Sequence, residues 1–294
     1  MIPAFSIRPT SCNGMEIEQS RILTQKLKVM KRAQIFILSM IVFLSGVFLA
    51  SCDKEDNKNP ESKATVQLML TDAPATYDAV NIDIREVMIH TETEGWISVP
   101  LEHPGVYNLL EFSNGIDVLL GTVEIAPGNL SQVRLVLGSE NSVVVDGVTY
   151  PLTIPSGAAS GLKLNLHSVL EGGYFYRFWI DFDAARSIHV TGNGKFMLKP
   201  VIRLFTEASS GAVAGKVISA EYAPVITVYN ESDTLATFPA ADGHFLIPGV
   251  PEGTWTVKFS STLDPLPFVE VILPGVVVVK GKTTVLADVT LMPV

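Results

Sequence analysis

The strongest constraint on this chain is the way its apolar residues are broken up. From Thr65 onward Val, Ile, Leu and aromatic residues come in short runs interrupted by Gly, Pro, Asn and Asp, and no stretch keeps a long helical period. That punctuation specifies antiparallel β-structure. Val80, Ile82 and Ile84 alternate with polar residues and the phase then restarts at Val87 and Ile89, so a β-bulge is expected at Arg85-Glu86. Ser142 to Tyr150 reads as a hairpin, because Asp146-Gly147 tolerates the positive φ angles of a two-residue turn. Tyr174, Tyr176, Phe178, Ile180 and Phe182 share one face of a strand, and Phe175, Arg177, Trp179, Asp181 and Asp183 share the other. Small polar residues from Thr206 to Gly211 mark a boundary. Beyond it about seven short strands follow, the last carrying Val285, Ala287, Val289 and Leu291 in alternation as an edge-to-core strand. The expected fold class is all-β, with two antiparallel β-sandwich-type domains over residues 64–206 and 211–294. No internal repeat relates them.

The N-terminal part is of another kind. Lys31-Arg32 precede an apolar stretch from Ile35 to Ala50, and Leu49-Ala50-Ser51-Cys52 closes it ahead of acidic residues. Charged, apolar and small-residue regions in that order make a secretion signal. As a helix its roughly 16 residues would reach ~24 Å, short of the ~30 Å hydrocarbon core, which makes a permanent span the weaker reading. The layout resembles bacterial lipoprotein signals, and the resemblance implies a diacylglycerol thioether on Cys52 with acylation of the new amino terminus. Two or three acyl chains, at ~0.8 kcal/mol per buried methylene, imply firm anchoring. Cys52-Asp53-Lys54-Glu55-Asp56 also resembles the lipoprotein export signal of Bacteroidetes, which implies an outer membrane lipoprotein displayed on the cell surface. The alternative is a periplasm-facing lipoprotein whose acidic residues form a solvated tether. Residues 1–29 fit no signal and Met30-Lys31-Arg32 makes a normal start, so residues 1–51 are read as upstream segment and signal peptide beginning at Met30. Residues 52–63 are read as the lipidated cysteine and a disordered tether, since 53–63 hold no large apolar residue.

Charge narrows the partners. Of the chain's 21 Lys and Arg, six lie in residues 1–51, as do two of its 30 Asp and Glu, so the remaining 243 residues carry 15 and 28 for a formal charge of −13. Nucleic acid is excluded as a partner, because binding it depends on neutralising phosphates with Lys and Arg. The two cysteines are Cys12 and Cys52, so no disulfide can hold the mature fold and stability has to come from buried apolar surface.

Several runs resemble known families. Leu70-Thr71-Asp72-Ala73-Pro74, Val80 to His90, Tyr107-Asn108-Leu109-Leu110, Val133 to Leu137, Asp181 to Ser187 and Leu198 to Arg203 resemble, in order, the bacterial domain of unknown function 4382 over roughly residues 64–206. That resemblance implies no activity. Gly215-Lys216-Val217, Ala241 to Ile247, Gly249 to Val257 and Asp288 to Leu291 resemble carboxypeptidase regulatory-like modules, which implies a transthyretin-like sandwich and a non-catalytic role. Asp242-Gly243 and Glu252-Gly253 supply tight turns there, and Trp255 is suited to anchor the core between sheets.

Few residues suggest chemistry. Asp181 and Asp183 stand on one strand face with Arg186 close by, and paired carboxylates can act on a glycosidic bond. Residues two apart on a strand lie about 6.5–7 Å apart, which suits many carboxylate separations and is diagnostic of none. The competing reading is an Asp-Arg network that closes the turn after the strand. Asp72 and Asp83 are candidates to join that polar network, and with it to bind calcium through oxygen, but no Asp-x-Asp-x-Asp-Gly loop occurs. His90, His103, His167, His189 and His244 are scattered with no zinc-site spacing. Tyr174, Tyr176 and Trp179 would stack on sugars if exposed, although core packing is their default. No catalytic residue, metal or cofactor is therefore assigned. The expected function is a non-enzymatic lipoprotein, held to the membrane through Cys52, that serves as a binding, adhesion or structural module of the envelope for a glycan or protein ligand. The alternative is a glycan-directed hydrolase using Asp181 and Asp183 with the C-terminal sandwich as accessory.

Overall fold

A computed structural model of the protein describes residues 62–155, 161–263 and 265–294. Residues 1–51, Cys52 and nearly all of the expected tether lie outside the described residues. The fold is all-β. The first thirteen strands are β1 (Ala64–Ala73), β2 (Ala79–Thr91), β3 (Gly95–Val99), β4 (Gly105–Asn108), β5 (Val118–Ile125), β6 (Gly128–Leu137), β7 (Ser142–Val145), β8 (Val148–Thr153), β9 (Leu162–Leu170), β10 (Phe175–Asp183), β11 (Ile188–Val190), β12 (Phe196–Leu198) and β13 (Ile202–Phe205). One sheet has the order β13-β10-β1-β5, and a nine-stranded sheet runs β11-β12-β8-β7-β2-β6-β9 with β3 and β4 also paired to β2. Most pairs are antiparallel, but β1 runs parallel to β10 and β8 parallel to β12.

Alternation decides what is buried. Val66, Leu68 and Leu70 of β1, Val80, Ile82 and Ile84 of β2, and Phe178, Ile180 and Phe182 of β10 are all 0 % exposed and belong to one apolar cluster. Full burial of such a side chain contributes ~1.5–3 kcal/mol, so this cluster is a main source of stability for these strands. The register of β2 against β6 shifts between Ile84 and Glu86, which lets both Ile84 and Val87 face the core. Between β7 and β8, Asp146 and Gly147 take φ values of 49° and 74°, and the Gly147 N–H donates to the Asp78 carboxylate at 2.8 Å.

The chain leaves β13 through a turn at Thr206–Ser210 held by the Thr206 and Ser209 hydroxyls. Seven further strands are described: β14 (Ser210–Lys216), β15 (Val225–Tyr229), β16 (Thr234–Thr237), β17 (His244–Pro251), β18 (Gly253–Ser260), β19 (Val271–Val278) and β20 (Thr283–Val285). They form a sheet β17-β14-β20 and a sheet β16-β15-β18-β19, with Val213, Phe245, Ile247, Ile226, Trp255 and Phe259 in a second apolar cluster. Trp255 is 2 % exposed and its indole N–H donates to the Pro251 carbonyl at 2.9 Å, which satisfies its one polar atom.

The last strand departs from the expected alternation. Val285 is 73 % exposed and Ala287 is exposed, whereas Val289 and Leu291 are 8 % and 2 % exposed. The cause is that β20 pairs parallel with β14 only as far as Val285. Leu286 N–H then donates to Ala214 O and packs inward, and Val289 N–H donates to Lys216 O, so the phase slips between the two attachments. The described strands belong to one compact unit, within which Gly249 of β17 lies against Phe205 of β13 and Ser210, at the end of the turn, pairs with Pro251.

Candidate functional site

Asp181 and Asp183 come from the C-terminal half of β10, where parallel pairing sets Thr71 opposite Asp181 and Ala73 opposite Asp183. Because even-numbered residues of β10 fill the core, both acids fall on its other face, toward the second group of strands. A cavity of about 180 Å³ lies there, lined in part by Asp72, Asp181, Asp183, Arg186, Arg203 and Asp233.

The acids are engaged in structure. The Asp181 side chain is 7 % exposed, and Arg203, directly across the β10–β13 register, places Nε 2.5 Å from its Oδ2. The same guanidinium donates from Nη1 to the Gly249 carbonyl of β17 at 3.0 Å. Arg203 thus ties the two groups of strands together. Asp183 caps the short helix Ala184–Ser187, accepting from the Arg186 amide at 2.8 Å, with the Arg186 guanidinium 3.6 Å away. Asp72 is 5 % exposed; its Oδ1 accepts from the Ala184 amide at 3.0 Å, while Oδ2 has no hydrogen-bond partner among the described residues.

These environments shift protonation in one direction. Burial pushes the Asp72 carboxyl well above its ordinary 3.8, the Ala184 amide opposes that, and the negative charges of Asp181 and Asp183 add to it. Burial also raises Asp181, against the lowering effect of the Arg203 charge and hydrogen bond. Asp183 is raised by burial and held back by the Arg186 amide and by the charges of Arg186 and Arg203.

The candidate residues do not all converge. Asp181 pairs with Arg203, not with Arg186, which is 57 % exposed and serves Asp183. Asp83 stands apart from Asp72, Asp181 and Asp183, at the break between β6 and β7. Its amide donates to Asn141 Oδ1 at 2.9 Å, its carbonyl accepts from Gly138 N–H at 2.8 Å, and its Oδ2 accepts from Glu140 N–H at 3.2 Å. Arg85 Nε lies 2.7 Å from its Oδ1. A side chain on Gly138 would collide with that carboxylate, so Asp83 and Gly138 shape this break as a pair.

Three contributors were not singled out from sequence. Besides Arg203, Asn114 adopts φ 57° and accepts from the Leu246 amide at 2.7 Å, and its Nδ2 lies 3.4 Å from the His244 carbonyl. It supplies the edge of β17 with a substitute for a neighbouring strand. Gly249, at φ 69°, lets the β17 backbone pass against the Phe205 ring. Trp179 is part of the same junction. It is 8 % exposed, stacks on Phe205 with centroids 5.5 Å apart, and donates its indole N–H to Asp117 at 2.6 Å.

Glycoside hydrolysis needs one carboxylate free to attack or activate water and another that delivers a proton to the leaving oxygen. Here Asp181 carries a guanidinium at contact distance, Asp183 is a helix cap, and Asp72 is enclosed. Among the described residues no group of three or more His, Cys, Asp and Glu is arranged to hold a metal ion. Among them, too, no helix is long and apolar enough to cross a membrane, which says nothing of strands.

Residues 63–200 match the family model described as Domain of unknown function (DUF4382). No curated protein sequence matches the chain. Among solved structures, the chain is similar to the Bacillus anthracis TIE protein, at 11 % identity and TM-score 0.22, over 78 % of this chain and 41 % of that one. It is similar to GBS52, the minor pilin of Streptococcus agalactiae, at 11 % identity and TM-score 0.21, over 78 % and 96 %. A streptococcal ancillary pilin gives 10 % identity and TM-score 0.21 over 80 % and 63 %. The chain therefore spans less than two thirds of the first and third of these, and likeness at such scores carries no functional weight.

Proposed function

We propose that the protein is a non-enzymatic, lipid-anchored module of the cell envelope that acts by contact. In this reading Cys52 carries the lipid and residues 53–63 are a tether. The strands from 64–206 and 211–294 then present a binding or adhesion surface to a glycan or protein. The observation that carries it is the Asp181–Arg203–Gly249 bridge. The carboxylate a hydrolase would need is neutralised at 2.5 Å by a guanidinium that also holds the second group of strands. Location on the outer face of the outer membrane is supported by the sequence at Cys52 to Asp56, with a periplasmic orientation as the alternative. Protease treatment of intact cells separates the two, since digestion requires exposure. For the non-enzymatic role, the full chain is incubated with a panel of polysaccharides and both retention and chain length are followed. Retention without shortening is expected; shortening that disappears in Asp181→Asn overturns the reading.

A further inference from the structure

The outer face of the nine-stranded sheet carries a stacked cation, Arg134, with no ion pair among the described residues. Register across β3, β2, β6 and β9 aligns Trp96, His90, Gln132 and Asn165 in one cross-strand row, and Ser98, Met88, Arg134 and Lys163 in the next. Neither row contains a carboxylate, in a chain with 30 acidic and 21 basic residues. The following row brings Glu86, which accepts from the Ser98 hydroxyl at 3.1 Å.

The Arg134 guanidinium carbon lies 3.9 Å from the centre of the Trp96 ring. Trp96 is met edge-on by His90 at 5.0 Å, and His90 Nδ1 is 2.9 Å from the Ser131 hydroxyl. Stacking of this kind fixes the plane of a guanidinium while leaving its N–H groups free. Among the described residues the Arg134 side chain has no ion pair and no hydrogen bond, and its Nε is buried without an acceptor. Beside it Lys163 is exposed and also lacks an ion pair among the described residues. In the neighbouring row Gln132 Nε2 donates to Asn165 Oδ1 at 2.8 Å, which orients both amides and leaves an acceptor on Gln132 and donors on Asn165 available.

A stacked, unpaired guanidinium presents parallel donors that match a carboxylate. Paired amides and hydroxyls match sugar hydroxyl groups, and cross-strand rows of such side chains suit an extended chain. We propose that this face binds a carboxylate-bearing polysaccharide. Arg134 takes the uronate carboxylate, Lys163 adds charge, and Gln132 and Asn165 take ring hydroxyls. This gives a ligand chemistry to the contact role proposed above and rests on that reading.

The test titrates the full chain at low salt with polygalacturonate and with alginate, beside neutral galactan and polyglutamate. The acidic polysaccharides are expected to bind and to weaken as salt screens the charges. Arg134→Ala should weaken them about tenfold or more, the loss typical of a charge-assisted hydrogen bond, and Arg134→Lys should fall between because it lacks the planar fork. Lys163→Glu changes an exposed residue and should abolish measurable binding at an unchanged melting temperature, so a misfolded Arg134 variant offers no escape. Three results overturn the proposal: no binding of either acidic polysaccharide, equal binding of polyglutamate or galactan, or affinities that ignore both Arg134→Ala and Lys163→Glu. The last of these leaves the contact role standing and removes only this face.

Discussion

Arg203→Met tests whether the acidic cavity is a joint. Methionine keeps much of the side chain's volume but removes the charge that faces Asp181 at 2.5 Å and the donor to Gly249 at 3.0 Å. Truncating one partner of a buried pair costs ~3–5 kcal/mol, because the other charge is left without compensation. The Arg203 side chain is 31 % exposed, so water recovers part of this and about 2–4 kcal/mol is expected. For a unit of this size that lowers the melting temperature by roughly 5–12 °C. Urea unfolding of wild type, Arg203→Met, Asp181→Asn and the double variant gives the coupling directly, and about 1.5–3 kcal/mol is expected, with Asp181→Asn restoring much of the loss in the Met background. The pH dependence has a fixed sign. Burial raises the folded-state carboxyl of Asp181, and loss of Arg203 raises it further, so protonation favours the folded variant. Its deficit should therefore be small near the ordinary value of 3.8 and grow as pH rises through the raised one. A deficit below about 0.5 kcal/mol at neutral pH, or no recovery in the double variant, would refute the joint.

Two further outcomes follow from the same geometry and a third from the sequence at Cys52. Asp72 has a raised carboxyl, so its contribution to stability is complete below the ordinary 3.8 and is lost as pH rises through the folded value; Asp72→Asn keeps an acceptor for the Ala184 amide and should flatten that decline in urea unfolding from about pH 4 to 8. Equal slopes for the two proteins would contradict the shift. Gly249→Ala places a methyl group against the Phe205 ring at a positive φ and should cost about 2–4 kcal/mol, with loss of the near-ultraviolet dichroism of the Trp179–Phe205 stack; an unchanged melting curve speaks against the close approach. Cys52→Ala should move the protein from the membrane to the soluble fraction of lysed cells, and retention in the membrane would remove the proposed lipid anchor.

What the sequence makes legible here is local. The slip at Arg85-Glu86, the Asp146-Gly147 hairpin and the two faces of β10 each depend on residues within a dozen positions, where alternation and turn chemistry act directly. The polar cluster depends on register between distant strands. Asp181 meets Arg203 because β13 pairs with β10, and Asp72 meets them because β1 lies parallel to β10 more than a hundred residues earlier in the chain. Nothing in the spacing distinguishes Arg203 from Arg186 as the partner. Asp83 misled for the related reason that a buried acid beside a strand break has the same composition as one beside a cavity. Asn114 acts through a left-handed backbone and an edge strand 130 residues away, and Arg134 stacks on Trp96 only because β2 lies between them. The phase error at Val285 arose where β20 ends and the chain crosses to a new attachment, a place where alternation alone carries no information.

The most direct measurement is the chain length of polygalacturonate and of neutral polysaccharides after prolonged incubation with the wild-type chain and with Asp181→Asn. If the carboxylates serve to join strands and the protein acts by contact, the polymers keep their length with both proteins, and bound polygalacturonate is recovered intact. Shortening by the wild type that Asp181→Asn abolishes, in a variant that still folds, would contradict the account.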